Sequence, residues 1–285
     1  MMRLLLITVL LGSLQSAFAQ AELVAPGVIS DGQAFGAAVS PDGKELFFVR
    51  SYGGRDSLHL YRSERLKGQW QPPQPVFFMD RTVMQIDPAF SPDGNSLLFN
   101  AFADPAQSFD VYVVSRTAGG WSAPMRYGGE INSAASDFYA TITAGQSIYF
   151  TRRTESNDIY ASRFENGRYR TAVPLDSSIN TPGIESNPWI APDESYLIFF
   201  SDRPGGYGDV DLYISFRQGS RWTRPLNLGS EVNGPSGEFC PSVQGGYLYF
   251  SRTEQTDGKR TENIWRIPLK TLGLKALRRT AFAQP

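Results

Sequence analysis

Hydrophobic positions along this chain fall in short bursts, and the bursts recur. Leu46-Phe47-Phe48 follows Ser40-Pro41-Asp42-Gly43, and Leu97-Leu98-Phe99 follows Ser91-Pro92-Asp93-Gly94. Leu197-Ile198-Phe199 follows Ala191-Pro192-Asp193-Glu194. Degenerate copies are Thr143-Ala144-Gly145 before Ile148-Tyr149-Phe150 and Val243-Gln244-Gly245 before Leu248-Tyr249-Phe250. The copies sit near positions 41, 92, 143, 192 and 243, a period of about 50 residues. Downstream of each comes a second burst, Leu60-Tyr61, Val111-Tyr112, Ile159-Tyr160, Leu212-Tyr213 and Ile264-Trp265. A Gly/Ser turn with an aromatic and a proline follows in Trp70/Pro73, Trp121/Pro124 and Trp222/Pro225, with Tyr169 in the third copy. The copies are joined by loops carrying Ile131-Asn132, Ile179-Asn180 or Val232-Asn233.

Segments this short, aromatic or β-branched and punctuated by Gly and Pro read as strands rather than helices. Each repeat predicts four antiparallel strands. The first ends in the Pro-Asp-Gly turn, where Pro sets φ, Asp caps and Gly accepts positive φ. The fourth carries proline, which suits an outer edge. Four strands per repeat is the pattern of a propeller blade. The sequence therefore predicts an all-β fold, a five-bladed β-propeller over 20–269. The fifth copy lacks its fourth strand, and Glu22–Ile29, with Ala25-Pro26, resembles one. The first strand of the mature chain is expected to complete the last blade and remove a free edge.

Residues 1–19 read as a secretory signal: Arg3, an apolar run from Leu4 to Leu14, then Ala17-Phe18-Ala19, with cleavage expected before Gln20. The run is short of the roughly 20 residues a membrane span needs. A periplasmic or secreted monomer without a transmembrane segment is expected. Residues 270–285 form a basic tail with Lys270, Lys275, Arg278 and Arg279 and no acid.

The formal net charge is −1, which gives no global field for nucleic acid. One cysteine, Cys240, precludes an intrachain disulfide and reads as core. The single histidine, His59, precludes a multi-His metal site and reads as strand packing.

The repeats resemble the TolB-type (WD40-like, Pro-Asp-Gly) propeller repeats of bacterial envelope proteins. The most specific stretch is Ser186–Ser215, where Pro192-Asp193, Ser201-Asp202-Arg203-Pro204-Gly205-Gly206 and Asp211-Leu212-Tyr213 occur in the family's order. The resemblance implies a non-enzymatic platform for an envelope protein or a saccharide ligand.

The strand order places the long loops on one face, here called upper, with the second, fourth and fifth loops between second and third strands (Ala101–Phe109, Ser201–Asp211, Arg252–Glu262) leading the contact surface. Two residue sets are expected at that face. Asp87, Asp137, Glu185 and Glu238 precede the first strands, with Gln33 in the first copy. Arg50, Arg152 and Arg252 follow the second strands, with Arg203 two residues further on. They read either as a ring for a charged ligand or as acids capping loop amides and pairing with arginine. The alternative function is a carbohydrate-active hydrolase or lyase using Asp87, Asp137, Glu185 and Glu238, two of which would need to stand about 5–5.5 Å or 6.5–9.5 Å apart. There is no G-x-S-x-G, H-E-x-x-H or phosphate loop. No cofactor is expected, calcium at Asp202, Asp209 and Asp211 being the weak candidate, since their spacing departs from the EF-hand loop. The repeat-equivalent Trp70, Trp121 and Trp222 read as packing between blades.

Overall fold

A computed structural model describes residues 21–51, 57–103, 108–256 and 258–284; the expected signal, 1–19, lies outside these. Five antiparallel sheets form a five-bladed propeller. Their first, innermost strands are Ala34–Val39, Gln85–Phe90, Ser136–Ile142, Glu185–Ile190 and Glu238–Gln244. The second strands are Glu45–Ser51, Ser96–Ala101, Ile148–Arg153, Tyr196–Ser201 and Tyr247–Thr256, and the third are Leu58–Leu66, Asp110–Thr117, Asn157–Ser162, Asp211–Gln218 and Lys259–Pro268.

The fourth strands are the least regular, as proline requires. In blade 1, Gln69–Trp70 pairs with Arg65 and Leu66, the ladder breaks at Pro72-Pro73, and Gln74–Val76 pairs again with Leu60–Arg62. Blades 2 and 4 repeat the interruption.

Hydrophobic cores lie between blades, one at each of the five interfaces. Phe48, Phe99, Phe150, Phe199 and Phe250, the repeat-equivalent phenylalanines of the second strands, are all completely buried. Burial of each contributes roughly 1.5–3 kcal/mol. The interface between blades 5 and 1 needs the amino-terminal segment: Val24 and Ile29 are buried there with Phe48, Tyr249 and Ile264. Glu22–Leu23 pairs antiparallel with Arg266 and Trp265, Val24 N–H donates to Ile264 O at 2.9 Å, and Ser30 Oγ donates to the same carbonyl at 2.9 Å. The ring is closed as expected, although the strand covers only the first part of Glu22–Ile29 and the remainder turns at Ala25–Ser30.

Two features were not read from the sequence. The fifth loop, Arg252–Glu262, is largely regular, because the flanking ten-residue strands stay paired as far as Thr256 and Lys259. The basic tail is also folded: a 3-10 turn (Leu269–Leu272) leads through Gly273, at φ 58°, into a helix (Leu274–Ala283). Its Leu272 and Ala281 are buried in the core of blades 4 and 5. No helix among the described residues is long and apolar enough to cross a membrane.

Candidate functional site

Every first strand contains a bulge. The register slips between Phe35/Ala38, Ile86/Ala89, Phe138/Thr141, Ser186/Trp189 and Phe239/Ser242. The first extra residue is left-handed each time: Gly36 at φ 66°, Asp87 at 53°, Tyr139 at 50°, Asn187 at 54° and Cys240 at 51°. Only glycine accepts that region freely, so four blades hold a strained residue at the axis. Proline follows at Pro88, Pro188 and Pro241, where the bulge makes no ladder demand. The recurring x-Pro inside an apolar strand accompanies the bulge in three of the five blades.

Four of the freed bulge amides are bonded by the neighbouring blade. Tyr139 N–H donates to Asn100 Oδ1 (2.8 Å), Asn187 N–H to Thr151 Oγ1 (3.0 Å) and Gly36 N–H to Ser251 Oγ (2.9 Å). Cys240 N–H donates instead to Asn187 Oδ1 at 3.2 Å. Tyr139 crosses the axis, its hydroxyl donating to Pro241 O on blade 5 at 2.9 Å. Burial, followed by the charges near Cys240 and Asp87, pushes this phenol well above its usual range, so it remains a neutral donor. Tyr139 thus plugs the channel. Beneath it is a cavity of about 60 Å³ lined by Phe90, Thr141, Trp189 and Pro241.

Above the bulge lies the expected ring of acids and arginines, and its geometry is a clasp. Asp137 accepts Arg152 Nε (2.6 Å), Ser133 N–H (2.6 Å) and Ser133 Oγ (2.8 Å). Glu185 accepts Arg203 Nη2 (3.1 Å), Thr181 N–H (2.6 Å) and Ser201 Oγ (2.6 Å). Glu238 accepts Arg252 Nε (2.7 Å) and Gly234 N–H (2.9 Å). The same three arginines donate to Ile131 O, Ile179 O and Val232 O. The next residue finishes the clasp: Asn132, Asn180 and Asn233 bond both backbone groups of Val111, Ile159 and Leu212. Each guanidinium also lies over two rings, as Arg152 does over Phe150 and Tyr160.

The three carboxylates are completely buried. Burial raises the Asp137 and Glu238 pKa values, opposed by the Arg152 and Ser133 bonds at the first and by Gly234 and Arg252 at the second. Two residues depart from the expected ring. Asp87 lies in the bulge, two residues beyond Gln85, which holds the ring position and accepts the amides of Phe78 and Met79. In blade 1 the ring position is Ala34 rather than Gln33, and Arg50 turns to Asp31 (2.6 Å) and Val28 O. The shorter turns of copies three and five obscured this register, which lies seven residues before Pro41, Pro92 and Pro192.

The weak calcium candidates do not converge. Asp202 accepts Ile184 N–H (2.7 Å), Asp211 accepts Tyr207 N–H (2.6 Å) and Asn227 Nδ2 (2.7 Å), and Asp209 is exposed. Among the described residues no three His, Cys, Asp or Glu side chains cluster for a metal. Trp70, Trp121 and Trp222 pair across strands with Arg65, Arg116 and Arg217, the last guanidinium 4.0 Å from its ring. His59 packs edge-on to Phe77.

No protein-family model and no curated protein matches the sequence. Solved structures share the architecture. A TolB from Agrobacterium tumefaciens superposes with a TM-score of 0.53 at 17% identity, over 79% of this chain and 71% of that one. The fold is that of a TolB-like propeller. A thermostable family-43 glycoside hydrolase matches with a TM-score of 0.56 at 12% identity (85% and 92% covered). The α-L-arabinofuranosidase of Podospora anserina matches at 0.52 and 10% identity (87% and 97%). At such identities the likeness is one of fold alone.

Proposed function

We propose that this TolB-like propeller is a monomeric, non-enzymatic binding platform of the periplasm or extracellular space, with its upper face as the contact surface. The observation carrying this reading is the clasp. Asp137, Glu185 and Glu238 are buried and bonded to arginine and loop amides, so none is presented to a substrate. Tyr139 fills the channel that a mouth-centred active site would use. The amino-terminal apolar run and the envelope proteins that these repeats resemble support the location.

What the upper face does present is exposed acid on its loops, including Glu130, Glu155, Asp176 and Asp209, beside the exposed Tyr207. That chemistry suits a basic protein segment. The test is capture of partners from envelope extract by the chain and by an E130K/E155K/D209K variant, run beside a polysaccharide turnover screen. Capture lost in the variant, with no turnover, is the expected result. Capture indifferent to the three reversals, or turnover abolished by Glu185→Gln at an unchanged melting temperature, overturns the reading.

A further inference from the structure

The net charge near zero conceals two faces of opposite sign. Antiparallel order puts the turns between third and fourth strands on the lower face. Those turns, 65–73, 116–124, 163–172 and 217–225, hold nine Arg or Lys and one acid, Glu165. The carboxy-terminal segment, 269–284, adds four cations and no acid to that face. The blade-to-blade loops of the upper face, 24–33, 77–84, 127–135, 175–184 and 228–237, hold five acids and only Arg81. The short Pro-Asp turns do bring Asp42, Asp93, Asp193 and Glu194 to the lower face. The aspartates, bonded by turn residues, keep their charge, and Glu194 pairs with Arg163 and Arg217, so these four bring the acids to five against the thirteen cations above.

The carboxy-terminal helix concentrates the cations around apolar surface. Between it and blade 5 runs a groove of about 830 Å³, floored by Tyr247, Pro268, Leu269 and Leu274 and rimmed by Lys270, Lys275 and Arg279. Lys270, Lys275, Arg278 and Arg279 are all exposed. Phe282, beneath the Arg278 guanidinium, is 40% exposed, and Leu66 on the same face is 54% exposed. A phosphate would find the cations at the rim, and hydrocarbon just below the headgroup would find the floor and Phe282. Cations around accessible apolar side chains are the pattern of an interfacial helix. A nucleic acid or acidic protein would use the charge but leave the apolar floor unexplained.

We propose that the lower face docks on an anionic lipid bilayer, with the helix Leu274–Ala283 and its groove as the point of insertion. This rests on the charge and shape of the lower face and is independent of the upper-face reading. The experiment uses residues 20–285, which contain the whole closed ring and omit the apolar run. Sedimentation with phosphatidylglycerol/phosphatidylcholine vesicles is compared with phosphatidylcholine alone, at low and high salt, and with heparin as a soluble competitor.

Binding to the anionic vesicles only, weakening with salt, is expected. A basic residue near such a surface contributes about fivefold, so K275Q/R278Q/R279Q should reduce partitioning by roughly a hundredfold. F282S, which leaves the charge unchanged, should reduce it by about tenfold. Both variants should keep their far-UV circular dichroism. Equal binding to neutral vesicles, or indifference to the triple variant, overturns the proposal. So does heparin binding with F282S as tight as the parent, which would identify a site for soluble polyanions.

Discussion

The side chains that the repeat brings to the upper rim show how one residue type serves several backbone needs. Asn180 accepts from Ile159 N–H and donates to Ile159 O and Leu175 O, substituting for a strand where the outer ladder has ended. Asn180→Ala should leave Ile159 N–H and Leu175 O unpaired, Ile159 O keeping its bond from Leu175 N–H, and cost about 1–3 kcal/mol, read as a lowered urea midpoint. Arg152→Ala, which abandons a buried carboxylate, should cost more, about 3–5 kcal/mol. The turn aspartates set an acid limit of the opposite origin. Hydrogen bonds from Ser40 and Ser91, with turn amides, hold Asp42 and Asp93 below their ordinary 3.8, and Ser195 does so for Asp193. A carboxyl lowered in the folded state adds stability above its unfolded pKa and loses it as pH falls through the folded value. Melting temperature should therefore drop below about pH 4, and a D42N/D93N/D193N variant should show a flatter acid limb. Asp137 and Glu238, raised by burial, act in the reverse sense, their contribution falling as pH rises through the folded value.

Among the elements, the two chain ends contribute unequally. Residues 22–30 supply a ladder, two buried aliphatic side chains and the Ser30 bond to the last blade. The carboxy-terminal turn and helix bury Leu272 and Ala281 but form no part of a sheet. Deleting 20–29 should lower the melting temperature more than deleting 270–285, and both deletions should lower it. The helix was not legible as an element, since its ten residues stand outside the repeat and their basic character read as a tail. The bulges were likewise hidden. A bulge is a mismatch between two strands, and Pro88, Pro188 and Pro241 acquire that meaning only once the partner strand is known.

At the scale of the whole molecule, closure makes five similar units into one cooperative body. Blades that touch only their neighbours would unfold piecewise if the ring were open. The intact chain should give one calorimetric transition with matching calorimetric and van't Hoff enthalpies. Removal of 20–29 should separate those enthalpies or split the transition.

Pattern alone determined the number of blades, the order of strands within each and the origin of the last strand. These follow from local period, turn chemistry and counting, all carried by nearest neighbours in the chain. Trp70, Trp121 and Trp222 were visible as recurring residues for the same reason, whereas the arginines that stack on them emerged only from the strand pairing. Tertiary structure decided what the rim acids do, that Asp87 faces the axis while Gln85 holds the ring position, and that Tyr139 spans from blade 3 to blade 5. It also separated the charges into two faces. Each of these depends on which distant segments meet, and a carboxylate reads identically in sequence whether an arginine from the next strand or open solvent stands before it.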